Sequence, residues 1–443
     1  MISVYALGGF EEIGRNMTAI EIDEEIIILD MGLHVDKIVS YGEREEVSKL
    51  SLKELKEIDA IPDDSILDKK REKVKAIIIS HAHLDHIASV PYLESKYNCP
   101  IYLTPYSKEV LKFLAKNEGI KIKNKIKVVP PNHCLKISNN IEVLFLSITH
   151  SIPQSVIPVI RTKYGNIVYA CDFKFDNHPI LGKRPDYKKI KEIGKEGVKL
   201  LIVESTRVDE ESKTPSEVVA KYMLEDVMQG LEHAKGLIVT TFSSHIARLK
   251  SIVEISERIG REPIFLGRSL KNYIKAAEKI GLIDFSSKYK IASKHEEISR
   301  ILKEISNNKS EYTLIVTGHQ GEPNSVLDRM SKGVFSWNWE KEDTVIFSSN
   351  IIPYPTNIAN SQMLDQRLRR YNVRIIRDIH VSGHARKEDH RELIRMLNPE
   401  YILPMHGDFK KRSMYIELAI EEGYRFGESI FLLQNGQKMD IKN

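Results

Sequence analysis

Cysteine is scarce: the 443 residues hold three, Cys99, Cys134 and Cys171. They are odd in number and far apart, which excludes a disulfide framework and a CxxC zinc site and fits a reducing cytosol. No apolar run approaches the ~20 residues that span a bilayer, so no membrane partner is expected. The start, Met1–Ala6, has no basic segment followed by an apolar core, which argues against secretion and for a cytoplasmic location. Neither sign of charge dominates, with 66 Lys+Arg against 62 Asp+Glu. That balance does not demand a nucleic-acid partner and does not exclude one, because a basic groove can sit inside a neutral total. Glycine/serine linkers, repeats and low-complexity tracts are also missing. What remains is a composition of 42% hydrophobic and 29% charged residues, that of a soluble globular chain. Its length suggests two or three domains.

The first third alternates strand-like and helical runs. Ile2–Gly8, Met17–Ile22, Glu25–Asp30, Val74–Ser80, Glu142–Ser147, Ile157–Arg161, Ile167–Asp172 and Leu200–Glu204 read as strands. Ile87–Tyr97 and Pro105–Glu118 read as helices. The charged stretch Val39–Lys73 reads as a solvated surface excursion. From Thr214 the pattern becomes strand then helix: Leu237–Thr241 before Ser244–Ile259, and Leu314–Val316 before Pro323–Arg329. That is the pattern of βα units on a parallel sheet.

The strongest chemical signal is His81-Ala82-His83-Leu84-Asp85-His86, directly after an apolar strand. Three imidazoles and a carboxylate in six residues suit divalent transition metals. Positions 81 and 83 project to one side of an extended segment, while Asp85 and His86 follow as the chain turns into a helix. Four ligands so crowded suit two metals better than one; the bland alternative is a surface histidine cluster. Further ligands stand where strands end: His150, Asp172, whose carboxylate could bridge two metals, and His406.

HxHxDH with a later His, Asp and His resembles the metallo-β-lactamase superfamily, with Asp30 as its early acidic residue. The resemblance to the β-CASP nuclease branch is closer: Glu204 stands at motif A, His384 in Val381-Ser382-Gly383-His384-Ala385 at motif B, and His406 at motif C. Within that branch, Glu12–Met17, Thr241–Ser244 and Thr317–Pro323 are similar to ribonuclease J. Two departures from bacterial members stand out. The chain stops soon after Met439-Asp440, so their extra C-terminal domain is not expected. His319 occupies a position where their motif has a smaller residue.

The resemblance implies an α/β fold: a metallo-β-lactamase αββα sandwich with an inserted β-CASP domain built on a parallel sheet flanked by helices. His406 comes 234 residues after Asp172, and a shared metal site requires the intervening segment to return to the same scaffold. The expected boundaries are 1–207, 208–375 for the insert, and 376–443. The family pattern implies two zinc ions per subunit, one held by His81, His83 and His150, the other by Asp85, His86 and His406, with Asp172 bridging. Asp30 is expected to orient a histidine ligand, Glu204 to orient His384 or a ligand, and His384 to stabilise charge on a phosphate or protonate the leaving oxygen. Hydroxyls and a cation at helix starts, Ser243, Ser244, Arg268 and Ser382, are candidate contacts for a terminal 5′ phosphate.

The implied activity is 5′-to-3′ exonuclease action on 5′-monophosphorylated single-stranded RNA by a homodimer. An RNA endonuclease of the polyadenylation-factor type and a catalytically silent RNA-binding scaffold are the rival readings. Lys121–Lys127 and Lys188–Lys199 are candidate RNA tracks, with a solvated face as the default. Trp337, Trp339 and Tyr354 are candidates for base stacking, with core packing as their rival.

Overall fold

The computed structural model describes residues 1–41, 50–231 and 234–441. The chain forms two compact units. One comprises Met1–Asn177, Gly182–Thr214 and Gly383–Asn443; the other comprises His178–Leu181 and Pro215–Ser382.

The first unit is built on two sheets. One runs in the order β19 (Lys438–Ile441), β1 (Ile2–Gly8), β2 (Met17–Ile22), β3 (Glu25–Leu29), β4 (Val74–Ile78), β5 (Ile101–Leu103), β6 (Ile126–Val128). The other runs β18 (Tyr401–Met405), β11 (Val198–Glu204), β10 (Gly165–Ala170), β9 (Val156–Thr162), β8 (Glu142–Ser147), β7 (Cys134–Lys136). Their facing side chains form one core, with Val4, Ile20, Ile27 and Ile78 from the first sheet meeting Phe145, Ile167, Ile202 and Leu403 from the second. Each outer face is covered as well. Helices Tyr187–Glu196, Lys387–Leu397 and Phe409–Glu421 pack on the second sheet, and Leu93 and Leu111 belong to the cluster on the first. Strands covered on both faces read as continuous apolar runs, which is why Ala76–Ile79 carries no alternation.

Parallel pairing sets the chemistry of one edge. β11 lies between β10 and β18 and is parallel to both, with Glu204 opposite Met405 and Val203 opposite Ala170. Three strands therefore end side by side. The residues at or just beyond their ends are Asp172, Glu204 and His406.

Several expectations need correction. In the Val39–Lys73 stretch, residues 42–49 lie outside the described residues, but much of the remainder packs inward. Leu55, Ala60, Ile61 and Leu67 join the core. Asp64, fully buried, accepts hydrogen bonds from Lys56, Lys96 and Tyr97 at 2.6, 2.5 and 2.6 Å. Asp64 and its cations staple the segment, while Lys53, Glu54, Glu57, Asp59, Asp63, Asp68, Lys69 and Glu72 form the expected exposed face. The expected helix Ile87–Tyr97 is broken into Leu84–Ile87, Val90–Leu93 and a 3₁₀ turn, Glu94–Lys96. The cause is a pair of long-range contacts: the Asp85 carbonyl accepts from the Asn16 N–H at 2.9 Å, and the Ser89 N–H goes to Met31 O at 2.9 Å. The helix expected over Pro323–Arg329 begins later, at Val326, because Ser325 caps it by accepting from the Asp328 N–H.

The second unit carries a parallel sheet in the order β14 (Lys290–Ala292), β13 (Glu262–Leu266), β15 (Tyr312–Val316), β12 (Leu237–Thr240), β16 (Thr344–Phe347), β17 (Arg374–Ile376). Trp337 is buried in its core, and Trp339 stacks on Tyr371 at 5.6 Å. Neither indole is a platform for a base. Tyr354 is half-buried before the helix Pro355–Arg369. Among the described residues, no helix is long and apolar enough to cross a membrane.

The largest fully buried side chain is a cation, Arg248. It forms a fork on Glu217 (2.6 and 2.9 Å) and reaches Ser348 O, Ser348 Oγ and Ile379 O at 3.0, 2.8 and 3.2 Å. Burial works against the Glu217 charge, but Arg248 and His245 outweigh it and hold the carboxyl well below the usual range. Removing one partner strands a buried charge. Arg248→Met should therefore destabilise this unit by about 3–5 kcal/mol, measured as a lower urea midpoint; a loss under about 1 kcal/mol would contradict the pairing.

Candidate metal centre

The first unit brings the HxHxDH residues and the strand-end residues to one place. β4 runs through Ser80 into His81. His83 precedes the short helix Leu84–Ile87, and Asp85 and His86 occupy that helix. His150 follows β8, while Asp172 and His406 follow β10 and β18. His406 has φ 54° and Asp30 has φ 60°. Non-glycine residues hold this left-handed conformation only when their surroundings impose it. At His406 the backbone is gripped on both sides: its N–H donates to Gly9 O at 2.6 Å and its carbonyl accepts from Thr206 Oγ1 at 3.1 Å.

The proton positions on the rings are readable from their outer partners. Asp30 Oδ1 accepts from the Ser80 N–H at 2.7 Å, and Oδ2 accepts from Ser80 Oγ at 2.8 Å. With its proton so placed, Ser80 Oγ is the acceptor for His81 Nδ1 at 3.0 Å. His86 Nδ1 donates to Asp30 Oδ2 at 2.8 Å, and His150 Nδ1 donates to Gly383 O at 2.7 Å. Nε2 is consequently the nitrogen that His81, His86 and His150 turn inward. All three point at one atom, Asp172 Oδ2, each at 3.4 Å.

Acceptors converging on an acceptor repel unless a cation lies among them. Two groups emerge. His81, His83, His150 and Asp172 form one; Asp85, His86, His406 and Asp172 form the other. Within the first, His83 Nδ1 lies 3.2 Å from His81 Nε2 and 3.0 Å from His150 Nε2. Within the second, Asp85 Oδ2 is 3.5 Å from both His86 Nε2 and His406 Nε2, and His406 Nε2 is 3.4 Å from Asp172 Oδ1. A tetrahedral ion with ~2.0–2.1 Å bonds has ligands about 3.3–3.4 Å apart. The donor set therefore fits two divalent ions sharing Asp172, whose Oδ1 is buried with no hydrogen-bond donor.

Electrostatics agree. Burial pushes His83, His150 and His406 below the usual imidazole range, which keeps them neutral and able to bind metal. His86 behaves differently: burial opposes its charge, yet Asp172 and Asp85 raise it well above that range. Without metal it holds a proton that an incoming ion must displace.

His384 stands beside this cluster. Its Nδ1 lies 2.7 Å from Glu204 Oε2 and 4.0 Å from Asp172 Oδ2. Glu204 is fully buried and is steadied by the Phe173 N–H on Oε1 at 3.0 Å. Burial lowers the His384 pKa, but Glu204 and Asp172 overcome it and raise it to about 9.

Sequence reasoning missed the parts that act through backbone or small side chains. Ser80 is one. Gly383 is another: a Cβ there would lie 2.8 Å from the Ser151 side chain, so only glycine lets this carbonyl reach His150. Asn16 is a third, its Nδ2 lying 3.1 Å from both Asp85 O and His86 Nε2. Adjacency to His81 and His384 was the only sequence signal for the first two.

The phosphate-contact candidates lie in the second unit. Ser243 Oγ meets Ser269 Oγ at 2.8 Å, which joins the loop after β12 to the first turn of the helix Arg268–Lys279. Ser244 is buried, and the helix expected to open there starts at Ile246 with His245 as its cap. Arg268 is exposed at the first turn of the helix Arg268–Lys279, and Ser382 is buried.

Comparison with known proteins adds the following. Family models match for the metallo-β-lactamase superfamily over residues 11–198, the ribonuclease J β-CASP domain over 234–366, and a Zn-dependent metallo-hydrolase RNA specificity domain over 370–431. The chain is 49% identical to ribonuclease J of Pyrococcus abyssi, covering all of this chain and 97% of that one. It is 47% identical to ribonuclease J of Methanocaldococcus jannaschii, covering all of this chain and 99% of that one. To ribonuclease J of Mycoplasma pneumoniae it is 32% identical over 98% of this chain and 73% of the other. A crystal structure of a protein of unknown function from Enterococcus faecalis has the same fold, with a TM-score of 0.66 at 16% identity over 99% of each chain.

Two outcomes test the centre. Asp30→Asn should keep the fold yet weaken divalent-metal affinity by about 10–100-fold in chelator competition, because an orienting carboxylate is lost. In the wild type, affinity should rise with pH through the neutral range, by roughly tenfold per unit for each proton displaced. Affinity that is flat with pH and unchanged in the variant would contradict the assignment.

Proposed function

The chain belongs to the ribonuclease J family, a metallo-β-lactamase fold with an inserted β-CASP domain, and from that premise we propose that it is a zinc-dependent ribonuclease. It hydrolyses RNA processively from the 5′ end and prefers 5′-monophosphorylated single strands, acting as a cytoplasmic homodimer. The observation that carries this reading is the His384–Glu204 pair, held against a cluster of metal-competent lone pairs.

The superfamily implies divalent metal. We assign two zinc ions per subunit, one to His81, His83 and His150 and one to Asp85, His86 and His406, shared through Asp172. When bound, such ions polarise a phosphodiester and lower the pKa of a bound water towards ~7. The chain's own residues do the rest. Asp30 and Ser80 fix which nitrogen of His86 and His81 faces inward. Gly383 does the same for His150. Glu204 accepts from His384 Nδ1, so the working atom of His384 is Nε2. Protonated at neutral pH, His384 neutralises charge on the phosphate and passes its proton to the leaving oxygen. Ser243, Ser244, Arg268 and Ser382 hold the terminal 5′ phosphate, and their hydroxyls and guanidinium suit that anion.

The decisive assay digests RNA labelled at either end and bearing a 5′ hydroxyl, monophosphate or triphosphate. The expected products are mononucleotides released from the 5′ end of the monophosphate substrate. Internal fragments indifferent to the 5′ group would favour an endonuclease, and no cleavage would favour a silent scaffold. His81→Ala and His384→Ala should each lower kcat by at least ~10²-fold with the fold intact; full activity in either would overturn the assignment. Glu204→Gln removes the charge that raises the His384 pKa, so His384 loses its proton at lower pH. The alkaline limb of the kcat profile should move to lower pH, and an unmoved limb would separate Glu204 from this role.

A further inference from the structure

The motif Glu12–Met17 has no part in the chemistry proposed above, yet the loop that carries it, between β1 and β2, meets the metal centre at three residues. Its Gly9 carbonyl accepts from the His406 N–H at 2.6 Å. At its other end the Asn16 N–H and Nδ2 both donate to the Asp85 carbonyl, at 2.9 and 3.1 Å, and Nδ2 also lies 3.1 Å from His86 Nε2. Asp85, His86 and His406 are the three ligands assigned to one ion alone. The supports of the other three rings lie elsewhere. Ser80 Oγ accepts from His81 Nδ1, Gly383 O accepts from His150 Nδ1, and His83 sits between those two rings.

His406 depends on the loop more than the other rings do. Nδ1 of His81, His86 and His150 has an outer hydrogen-bond partner, whereas Nδ1 of His406 is buried with none among the described residues. Its ring is therefore placed through its backbone, and the Gly9 carbonyl is one of the two groups that hold that backbone in its left-handed conformation. Asp85 is placed in the same way, since Asn16 fixes the carbonyl of the residue whose carboxylate faces the ion.

One carboxylate ties the loop together. Glu12 Oε1 accepts from the Gly9 N–H at 3.0 Å and from Arg15 Nε at 2.7 Å, while Oε2 accepts from Asn435 Nδ2 at 2.8 Å. Asn435 Oδ1 in turn accepts from the Phe10 N–H at 3.1 Å. Asn16 is fully buried and lies over Gly9, where a Cβ would come within 2.2 Å of Asn16 Oδ1. The contacts on His406 and on Asp85 thus belong to one knot of bonds. Arg15 keeps a second partner, Asp59, at 2.6 Å, so removing Glu12 loosens the loop without stranding a cation.

We propose that Glu12 and Asn16 are positioning residues for one ion and not the other. They seat the ion of Asp85, His86 and His406, and leave the ion of His81, His83 and His150 to its own supports. The two sites consequently differ in what secures them, although they share Asp172. This rests on the reading that the chain holds two ions.

The test is zinc stoichiometry and stepwise affinity of the full-length protein, by native mass spectrometry and chelator competition. Groups that orient metal ligands are worth about 10–100-fold in affinity. In Glu12→Ala and in Asn16→Ala one ion should weaken by that factor while the other keeps its wild-type affinity, leaving a one-ion species at chelator concentrations where the wild type holds two. His150→Ala and His406→Ala, each of which removes a ligand from a different ion, identify the one affected. Glu12→Ala added to His406→Ala should change the remaining affinity by less than about twofold; added to His150→Ala it should weaken the remaining ion by the full factor. Equal weakening of both ions in the two single variants, or no weakening of either, overturns the proposal while leaving the two-ion reading standing. A wild type that binds fewer than two ions overturns that reading and the proposal with it.

Discussion

Everything in the first unit is arranged around one carboxylate. Asp172 sits, buried, 3.4 Å from Nε2 of His81, His86, His150 and His406. For three of those rings, hydrogen bonds on the far nitrogen dictate that Nε2 faces inward. A proton on His86 meets only part of this crowding of metal-binding groups, and each buried polar atom left unpaired costs on the order of 1–3 kcal/mol. Divalent cations resolve the conflict. The outer ring of Asp30, Ser80 and Gly383 is what makes the conflict specific, because it holds the inward nitrogens facing Asp172.

The sheets make that convergence possible. Three parallel strands, β10, β11 and β18, end in register and deliver Asp172, Glu204 and His406 to one edge. The facing sheet supplies β4 and, through it, the HxHxDH segment. Because β18 pairs with β11 far away in sequence, the chain can leave the unit after Thr214 and return at Gly383. The returning segment begins with the carbonyl that orients His150 and continues to His384.

Much of this was legible in the sequence because metal chemistry is local. His81, His83, Asp85 and His86 announce themselves by spacing. His150, Asp172 and His406 follow apolar strands, and polar groups there gather at the edge of a sheet. The αββα layering came from the family resemblance that those motifs carry; the alternation of strand and helix signals by itself indicated only an α/β chain. The broken helix after Ile87 was not legible, because it depends on Asn16 taking the Asp85 carbonyl, a contact between residues far apart in the chain. The inward packing of Leu55 and Leu67 was hidden by the charges around them. Trp337 is buried, and Trp339 stacks on Tyr371, for a similar reason: an aromatic side chain reads the same from sequence whether it faces solvent or core. Ser80 and Gly383 contribute a hydroxyl and a carbonyl, groups that residue type does not distinguish from hundreds of others.

The central claim is that this cluster exists to hold metal and that hydrolysis depends on it. Native mass spectrometry of the purified full-length protein, paired with RNA hydrolysis before and after exhaustive chelation, tests it most directly. The expected result is two divalent transition-metal ions per chain, loss of hydrolysis when they are removed, and recovery when zinc is returned. A protein that carries no metal and cleaves RNA undiminished would contradict it.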